Sequence, residues 1–245
     1  MLQSQKHVFW QALIFTILIF CLGIIFGLIL ENWRNSKVED LYSKSEISML
    51  DIKAQTEVYS TGFYNCEKAI SENILFADKV YNESKVLDRY QKSSVLKTEE
   101  IVLQHEKYDI LRALLWINSI KIKNQCNASY YNVVYIYKYH SGELEMIARE
   151  TVFSKLLGEL KERKGSEVLL IPLASDNNIS SIALLMDRYN ISKDELPVIL
   201  IDEKIKINQL TNIDELEKYF EKKHVVLNKT KNQEIPLSLK NSLII

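Results

Sequence analysis

The sequence contains little glycine and little proline, only six and three of its 245 residues. This composition excludes collagen-like, mucin-like and linker-rich chains. So few glycines leave little material for phosphate-binding loops, and neither a P-loop nor a GxGxxG pattern occurs. The formal net charge is −1, so no general attraction to nucleic acid is expected. We therefore predict a protein without a nucleic-acid partner.

Metal-binding patterns are absent as well. The four histidines and three cysteines form no HxxxH or CxxC spacing. His140 and Ser141, with Glu143 nearby, could suggest acid–base or nucleophilic chemistry. On a surface turn such residues are more often ordinary polar groups, and we interpret them in that way. The sequence thus predicts no metal, no cofactor and no catalytic residue.

Charge is missing from the stretch between Val8 and Leu30, which is mostly apolar. About 23 residues at 1.5 Å per residue span a hydrocarbon core of roughly 30 Å. The stretch exceeds the apolar region of a cleaved signal peptide, and the following residues 31–34 offer no small-x-small cleavage site. We therefore predict an uncleaved transmembrane signal anchor over residues 1–33.

Two glycines inside this anchor form a candidate packing site. Gly23 and Gly27 are four residues apart, and this small-xxx-small spacing lets two membrane helices approach closely. The alternative is that both glycines face lipid. If they pack, the partner is a second copy of the chain or another membrane protein.

Residues 34–127 have the pattern of a helical stalk domain. The segment from residue 36 to 125 has no proline and a single glycine, Gly62, and its apolar residues recur every three or four positions. We place helix breaks at Thr61-Gly62 and at Ser93-Ser94. The second and third helices then form an antiparallel α-hairpin.

Cys66 opens the second of these helices and Cys126 closes the third. Both lie at similar distances from the turn near Ser94, so the hairpin brings them to the same end. A disulfide there would add a few kcal/mol of stability and would require an oxidising compartment. Two alternatives are free buried thiols and a redox-active pair.

The location of the C-terminal part is predicted from this disulfide and from N-x-S/T sequons, since flanking Lys and Arg residues do not decide the orientation. We expect a cytoplasmic N-terminus and extracytoplasmic C-terminal domains. The candidate glycosylation sites are Asn82, Asn127, Asn178, Asn190 and Asn228.

The second half of the chain changes its periodicity. β-branched and aromatic residues predict strands at 132–139, 167–173, 196–201 and 205–207. Helical spacing predicts helices at 144–163, up to residue 189, and from 212 to 220. The order is βαβαββα, and the predicted fold class is α/β.

This order, and above all the stretch YNISKDELPVILIDEKIKINQLTNIDELEKYF, resembles the thioredoxin-like superfamily over residues 131–223. The resemblance implies that Pro197 is the cis-proline that faces the active site in that family. It also implies a CxxC motif or a single cysteine after the first strand, where this chain has residues 140–143, HSGE. No cysteine follows Cys126, so the resemblance implies a redox-inactive member.

A weaker resemblance, over the stretch LLWINSIKIKNQCNASYYNVVYIYKY, is to uncharacterised membrane-anchored archaeal proteins and implies no activity. We therefore expect a single-pass protein that acts as a binding or scaffolding module, or as a subunit of a membrane or envelope assembly, with protein partners or as a homo-oligomer. One alternative is a thiol oxidoreductase or redox sensor using Cys66 and Cys126. Another is an accessory subunit of a membrane enzyme. Residues 224–245 are a polar tail that is either frayed or docked on a partner.

Overall fold

The computed structural model describes residues 5–92, 98–209 and 212–220. For residues 5, 6, 34–42, 87–92 and 98–101 it describes the backbone only. The predicted break at Ser93-Ser94, the sequon at Asn228 and the tail 224–245 lie outside these residues. Three long helices come first, followed by an alternation of strands and helices. They are α1 (Gln5–Thr61), α2 (Cys66–Lys92), α3 (Thr98–Cys126), β1 (Tyr131–Tyr137), α4 (Leu144–Lys164), β2 (Val168–Ala174), α5 (Ser180–Arg188), β3 (Val198–Ile201), β4 (Ile205–Ile207) and α6 (residues 213–220).

Helix α1 is continuous for 57 residues and joins the apolar stretch to the first predicted stalk helix. Its segment His7–Trp33 is long and apolar enough to cross a membrane, two properties that N-terminal signal sequences share. The predicted boundary at residue 33 therefore falls inside one helix, because no proline or glycine lies between residues 28 and 61. The helix ends where predicted, at Thr61, and Gly62 has φ +73°, a left-handed conformation that favours glycine.

The sheet has four strands in the order β2-β1-β3-β4. β1 pairs in parallel with β2 and antiparallel with β3, and β3 pairs antiparallel with β4. The α/β class and the chain order of these elements agree with the prediction. β1 ends at Tyr137 rather than at the predicted Tyr139, because the backbone N–H groups of Tyr139 and His140 donate to the carboxylate of Asp176 instead of to a neighbouring strand.

Helices cover the sheet on both faces, as strands buried on both sides require. Helices α2, α3 and α5 pack on one face, where their core includes Trp116, Val134 and Ile171. Helix α4 and α6 pack on the other, with Phe153, Leu160 and Phe220 among the buried residues.

The predicted stalk domain and the predicted α/β domain share a core. The apolar cluster on the α3 face of the sheet runs without interruption from Ile52 on α1 through Leu111 on α3 to Leu169 on β2. The structure thus shows no separation of packing at the predicted boundary between residues 127 and 131. The physical reason is β1, which is buried on both faces and needs α3 as its cover.

Candidate functional site

The disulfide between Cys66 and Cys126 is present, and this prediction is confirmed. It joins the start of α2 to the end of α3, with 5.3 Å between the Cα atoms and 60 residues between the two cysteines. The hydroxyl group of Tyr64 is hydrogen bonded to Gln125 beside it. Because Cys126 lies just before β1, the disulfide sits near the amino end of that strand.

The turn at residues 138–143 lies at the opposite end of β1. β1 has seven residues, which at 3.3 Å each separate its two ends by about 20 Å. The Leu196–Pro197 peptide bond is cis, as the resemblance implied. Val198 pairs with Ile136, so Pro197 follows the register to the carboxyl end of β1, beside the cysteine-free turn. The register therefore places Pro197 at the same end of β1 as residues 140–143, whereas Cys66 and Cys126 lie at the other end.

A carboxylate holds this turn in place. Asp176 follows β2, the parallel neighbour of β1, and accepts hydrogen bonds of 2.7 Å from the backbone N–H groups of both Tyr139 and His140. The His140 Nδ1 atom lies 3.7 Å from the same carboxylate. From the sequence, residues 176–178 are interpreted as a turn and a helix cap, and no contact with the turn after β1 is predicted. The parallel pairing of β1 and β2 places their carboxyl ends side by side, and this pairing is a tertiary fact.

A buried ion pair on α3 is connected to this region through Asn177, the residue that follows Asp176. Arg112 Nη1 donates to Asp109 Oδ1 at 3.1 Å, and Asn177 Nδ2 donates to Asp109 Oδ2 at 2.8 Å. Asp109 is 1 % exposed and Arg112 is 6 % exposed. Burial raises the pKa of Asp109 to about 6, although Arg112, Asn177 and the Ala174 N–H all favour its charged form.

His105 lies one helical turn before Asp109 and is also buried. Its ring is 4.4 Å from the ring of Tyr139, centroid to centroid. Burial, then the positive charge of Arg112, lowers the pKa of His105 to about 4, so the imidazole is neutral near pH 7. In the sequence, His105 shares the helical spacing of the apolar residues Tyr108 and Leu111, which agrees with its burial.

A cavity of about 480 Å³ opens beside the edge strand β2. Residues of α2, α3, α4 and the sheet line it, and four tyrosines contribute to its walls. Arg112 and His105 reach it from α3, and Lys85 reaches it from α2. Its volume is in the range of small-molecule sites.

The remaining predicted positions within the described residues do not line this cavity. Four sequon asparagines are exposed: Asn82, Asn127, Asn178 and Asn190. The last three have φ values of 51°, 53° and 51°, a conformation that favours asparagine, so the local backbone also accounts for these residues. Gly23 and Gly27 have open space around them. Within residues 5–92, 98–209 and 212–220, no three His, Cys, Asp or Glu side chains are placed to hold a metal ion.

Comparison with known proteins gives no further assignment: no protein-family model, curated protein or solved structure matches this chain.

Proposed function

We propose that this chain is a single-pass membrane protein whose domain beyond the anchor lies outside the cytosol and works as a redox-inactive, thioredoxin-like binding or scaffolding module. The observation that carries the proposal is the separation along β1. The disulfide lies at the amino end of the strand, about 20 Å from the carboxyl end where the family places its reactive thiol.

The thioredoxin-like part of the proposal is supported by topology. The strand order β2-β1-β3-β4, the parallel β1–β2 pair and the antiparallel β3 and β4 fit that family. The cis bond before Pro197 stands at the family position, next to the turn that follows β1. The additional layer formed by α1, α2 and α3 distinguishes this chain from a bare thioredoxin-like domain.

The loss of redox chemistry follows from the residues of that turn. A reactive thiol in this family sits at the start of the helix after β1, where the helix N-terminus favours the thiolate. Here α4 begins at Leu144, and the preceding residues are His140, Ser141, Gly142 and Glu143. No group in this turn can exchange with a disulfide. We therefore assign residues 140–143, at the position of the family's reactive thiol, to a binding surface.

The proposed location rests on three observations. His7–Trp33 has the length and apolarity of a membrane span. The Cys66–Cys126 disulfide is of a kind that forms in oxidising compartments. Four sequon asparagines are exposed, so an oligosaccharide could be attached to them without unfolding.

An insulin-reduction assay with dithiothreitol and the full chain in nanodiscs tests the redox part. We expect no acceleration above the protein-free rate, with an active thioredoxin as positive control. Catalysed reduction would overturn the proposal. Two measurements test the orientation: protease digestion of sealed vesicles, and the change in electrophoretic mobility after glycosidase treatment. If the domain is cut only when cytosolic marker proteins are also accessible to the protease, and if glycosidase does not change its mobility, an outside location is contradicted.

One observation favours the redox-sensor alternative, because Cys66 is exposed and its disulfide is open to reductants. The reduction potential separates the two functions. A potential below about −300 mV indicates a structural disulfide, and a value near that of glutathione indicates a sensor. In the sensor, Cys66→Ser would abolish a response to reductant. If the protein is a binding module, the same variant should be less stable but should keep its binding function.

The role as accessory subunit of a membrane enzyme is supported by the open face at Gly23 and Gly27. A partner helix can approach this face closely. Loss of co-purifying membrane proteins in Gly27→Leu, but not in the matched variant Leu28→Ile, would support this role. Unchanged partners would count against it.

A further inference from the structure

From the outer edge of β2 we infer that the module binds an extended peptide segment of a partner protein, one apolar residue of which pairs with the main chain of Leu170. The inference deepens the proposed binding function and rests on it. In the described residues, β2 has β1 on one side and no strand on the other. Since β3 lies on the opposite side of β1, this edge is separate from the cis-Pro197 position.

The first step is the direction of the main-chain groups of β2. The Ser175 N–H donates to the Tyr137 carbonyl oxygen at 2.9 Å, so residue 175, which follows β2, directs its main chain toward β1. Successive residues of a strand direct their N–H and C=O groups to alternate sides. In this parallel pair the odd-numbered residues of β2 therefore bond to β1, and residues 168, 170, 172 and 174 direct their main chain outward.

The second step is that both ends of this edge are closed. Near its start, the carbonyl oxygen of Val168 accepts a 2.8 Å hydrogen bond from Lys161 Nζ. Near its end, the N–H group of Ala174 donates to the carboxylate of Asp109. A strand of another protein therefore cannot pair along the full length of the edge, and charged side chains commonly protect edge strands in this way.

The third step is the open position between these ends. Within residues 5–92, 98–209 and 212–220, no protein group bonds to the outward N–H or C=O group of Leu170. Leu170 is 9 % exposed, and it lines the cavity described above together with Pro172. A buried main-chain donor and acceptor need partners, and a ligand in the cavity supplies them.

The fourth step is the ligand that matches this position. In an antiparallel pair, one residue donates its N–H to the Leu170 oxygen and accepts the Leu170 N–H through its own carbonyl oxygen. Pro172 lacks an N–H group, and its ring occupies the place of that hydrogen, so the pairing ends after one residue. Extended peptides bind sheet edges through such main-chain bonds. The ligand is thus a short extended peptide segment rather than a strand of a second sheet.

The fifth step is the side chain of the ligand residue. Residues directly opposite each other in an antiparallel pair have their side chains on the same face of the sheet. The Leu170 side chain belongs to the apolar cluster on the α4 face. Leu157 and Gly158 of α4 also line the cavity, and a Cβ atom built on Gly158 meets nothing within 4 Å. This space fits an apolar side chain.

The test uses the full chain in phosphatidylcholine nanodiscs and measures binding of the uncharged peptide acetyl-Ala-Val-Ala-amide by ligand-observed NMR. N-methylation of the valine nitrogen removes the N–H that pairs with Leu170, and the loss of this hydrogen bond should lower the affinity about tenfold or more. N-methylation of the last alanine changes an N–H that points away from β2, so the affinity should stay within about twofold.

Gly158→Leu tests the cavity on the protein side. The added side chain occupies the space beside Leu170 and improves helix propensity, so this variant should lose binding and melt at or above the wild-type temperature. Gly158→Ala should keep binding. Lys155→Leu is the matched control, since it adds a leucine at an exposed position of α4 outside the cavity lining, and it should leave binding unchanged.

Three results would overturn the inference: no binding of the peptide, equal losses for the two N-methylated peptides, or full binding by Gly158→Leu. Binding that appears only after residues 224–245 are replaced by a Gly/Ser sequence of equal length would assign the site to the chain's own tail and overturn the partner as well. Insulin reduction by the same sample refutes the redox-inactive function, whereas missing peptide binding with no insulin reduction refutes this inference alone.

Discussion

His105 and Asp109 lie one turn apart on α3 and carry opposite pKa shifts, so we expect their effects on the pH dependence of stability to cancel. Burial lowers the pKa of His105 from 6.5 to about 4 and raises that of Asp109 from 3.8 to about 6. One pKa unit corresponds to about 1.4 kcal/mol, so each group changes the free energy of unfolding by about 3 kcal/mol.

The signs follow from proton binding. Between pH 4 and 6 the folded chain holds fewer protons on His105 than the unfolded chain does, so this group makes stability rise with pH. In the same window the folded chain holds more protons on Asp109, so this group makes stability fall with pH. The two contributions are similar in size and opposite in sign.

Single substitutions should therefore expose each slope. Between pH 4 and pH 6, the free energy of unfolding of His105→Gln should fall by about 2 kcal/mol relative to that of the wild-type chain, since this window covers only part of each titration. Asp109→Asn should gain about the same amount over this window. The double variant should restore the wild-type profile.

Urea unfolding followed by the fluorescence of buried Trp116 measures these profiles, in a background with Trp10 and Trp33 replaced by Phe. Differences from the wild-type chain remove the contribution of all other carboxylates. If both single variants kept the wild-type pH profile, the two groups would not be buried in the protonation states described above.

Three further predictions concern stability. Replacing both Cys66 and Cys126 by Ser opens a loop of 60 residues and should lower the free energy of unfolding by about 4 kcal/mol, measured by thermal unfolding. An unchanged melting temperature would mean that the disulfide does not restrict the unfolded chain. Lys161→Met should lower the free energy of unfolding by about 3 kcal/mol in urea. The buried Nζ atom of Lys161 donates hydrogen bonds of 2.8–2.9 Å to a carboxylate on α2 and to two backbone carbonyl groups, and all three are lost. Lys155→Met, at an exposed position of the same helix, is the control. Trp116→Phe removes the 2.7 Å hydrogen bond to a glutamate in the β3–β4 turn and should cost about 2 kcal/mol; a cost below 0.5 kcal/mol in urea unfolding would contradict it.

Local patterns in the sequence were sufficient for most elements of the fold. Apolar residues at helical spacing, β-branched runs and the glycines at 62 and 165 predicted the end of α1 at Thr61 and the end of α4 to within one residue of Lys164. They also predicted the order of strands and helices along the α/β part of the chain. These signals act within a few residues, so they are readable without tertiary contacts. The end of β1 was misplaced because it depends on Asp176, which lies 37 residues away from Tyr139.

The candidate site was predictable to a smaller extent. The cysteine-free turn and Pro197 could be named from the chain, because the resemblance to the thioredoxin-like superfamily gives each of them an expected position. Arg112 and Asp109 could not, because a charged pair at spacing i, i+3 is usually a solvent-exposed feature of a helix. Their burial arises because the sheet covers α3 at this point.

The sequence by itself determined the apolar span, the pairing of Cys66 with Cys126 and the absence of a thiol after β1. Each depends on composition or on spacing along one or two helices. Only the tertiary structure decided that α1, α2 and α3 share a core with the sheet and that a buried arginine faces a tyrosine-lined cavity. The physical reason is that β1 must be covered on both faces, and the helix that covers it contributes polar side chains whose partners lie far away in the chain.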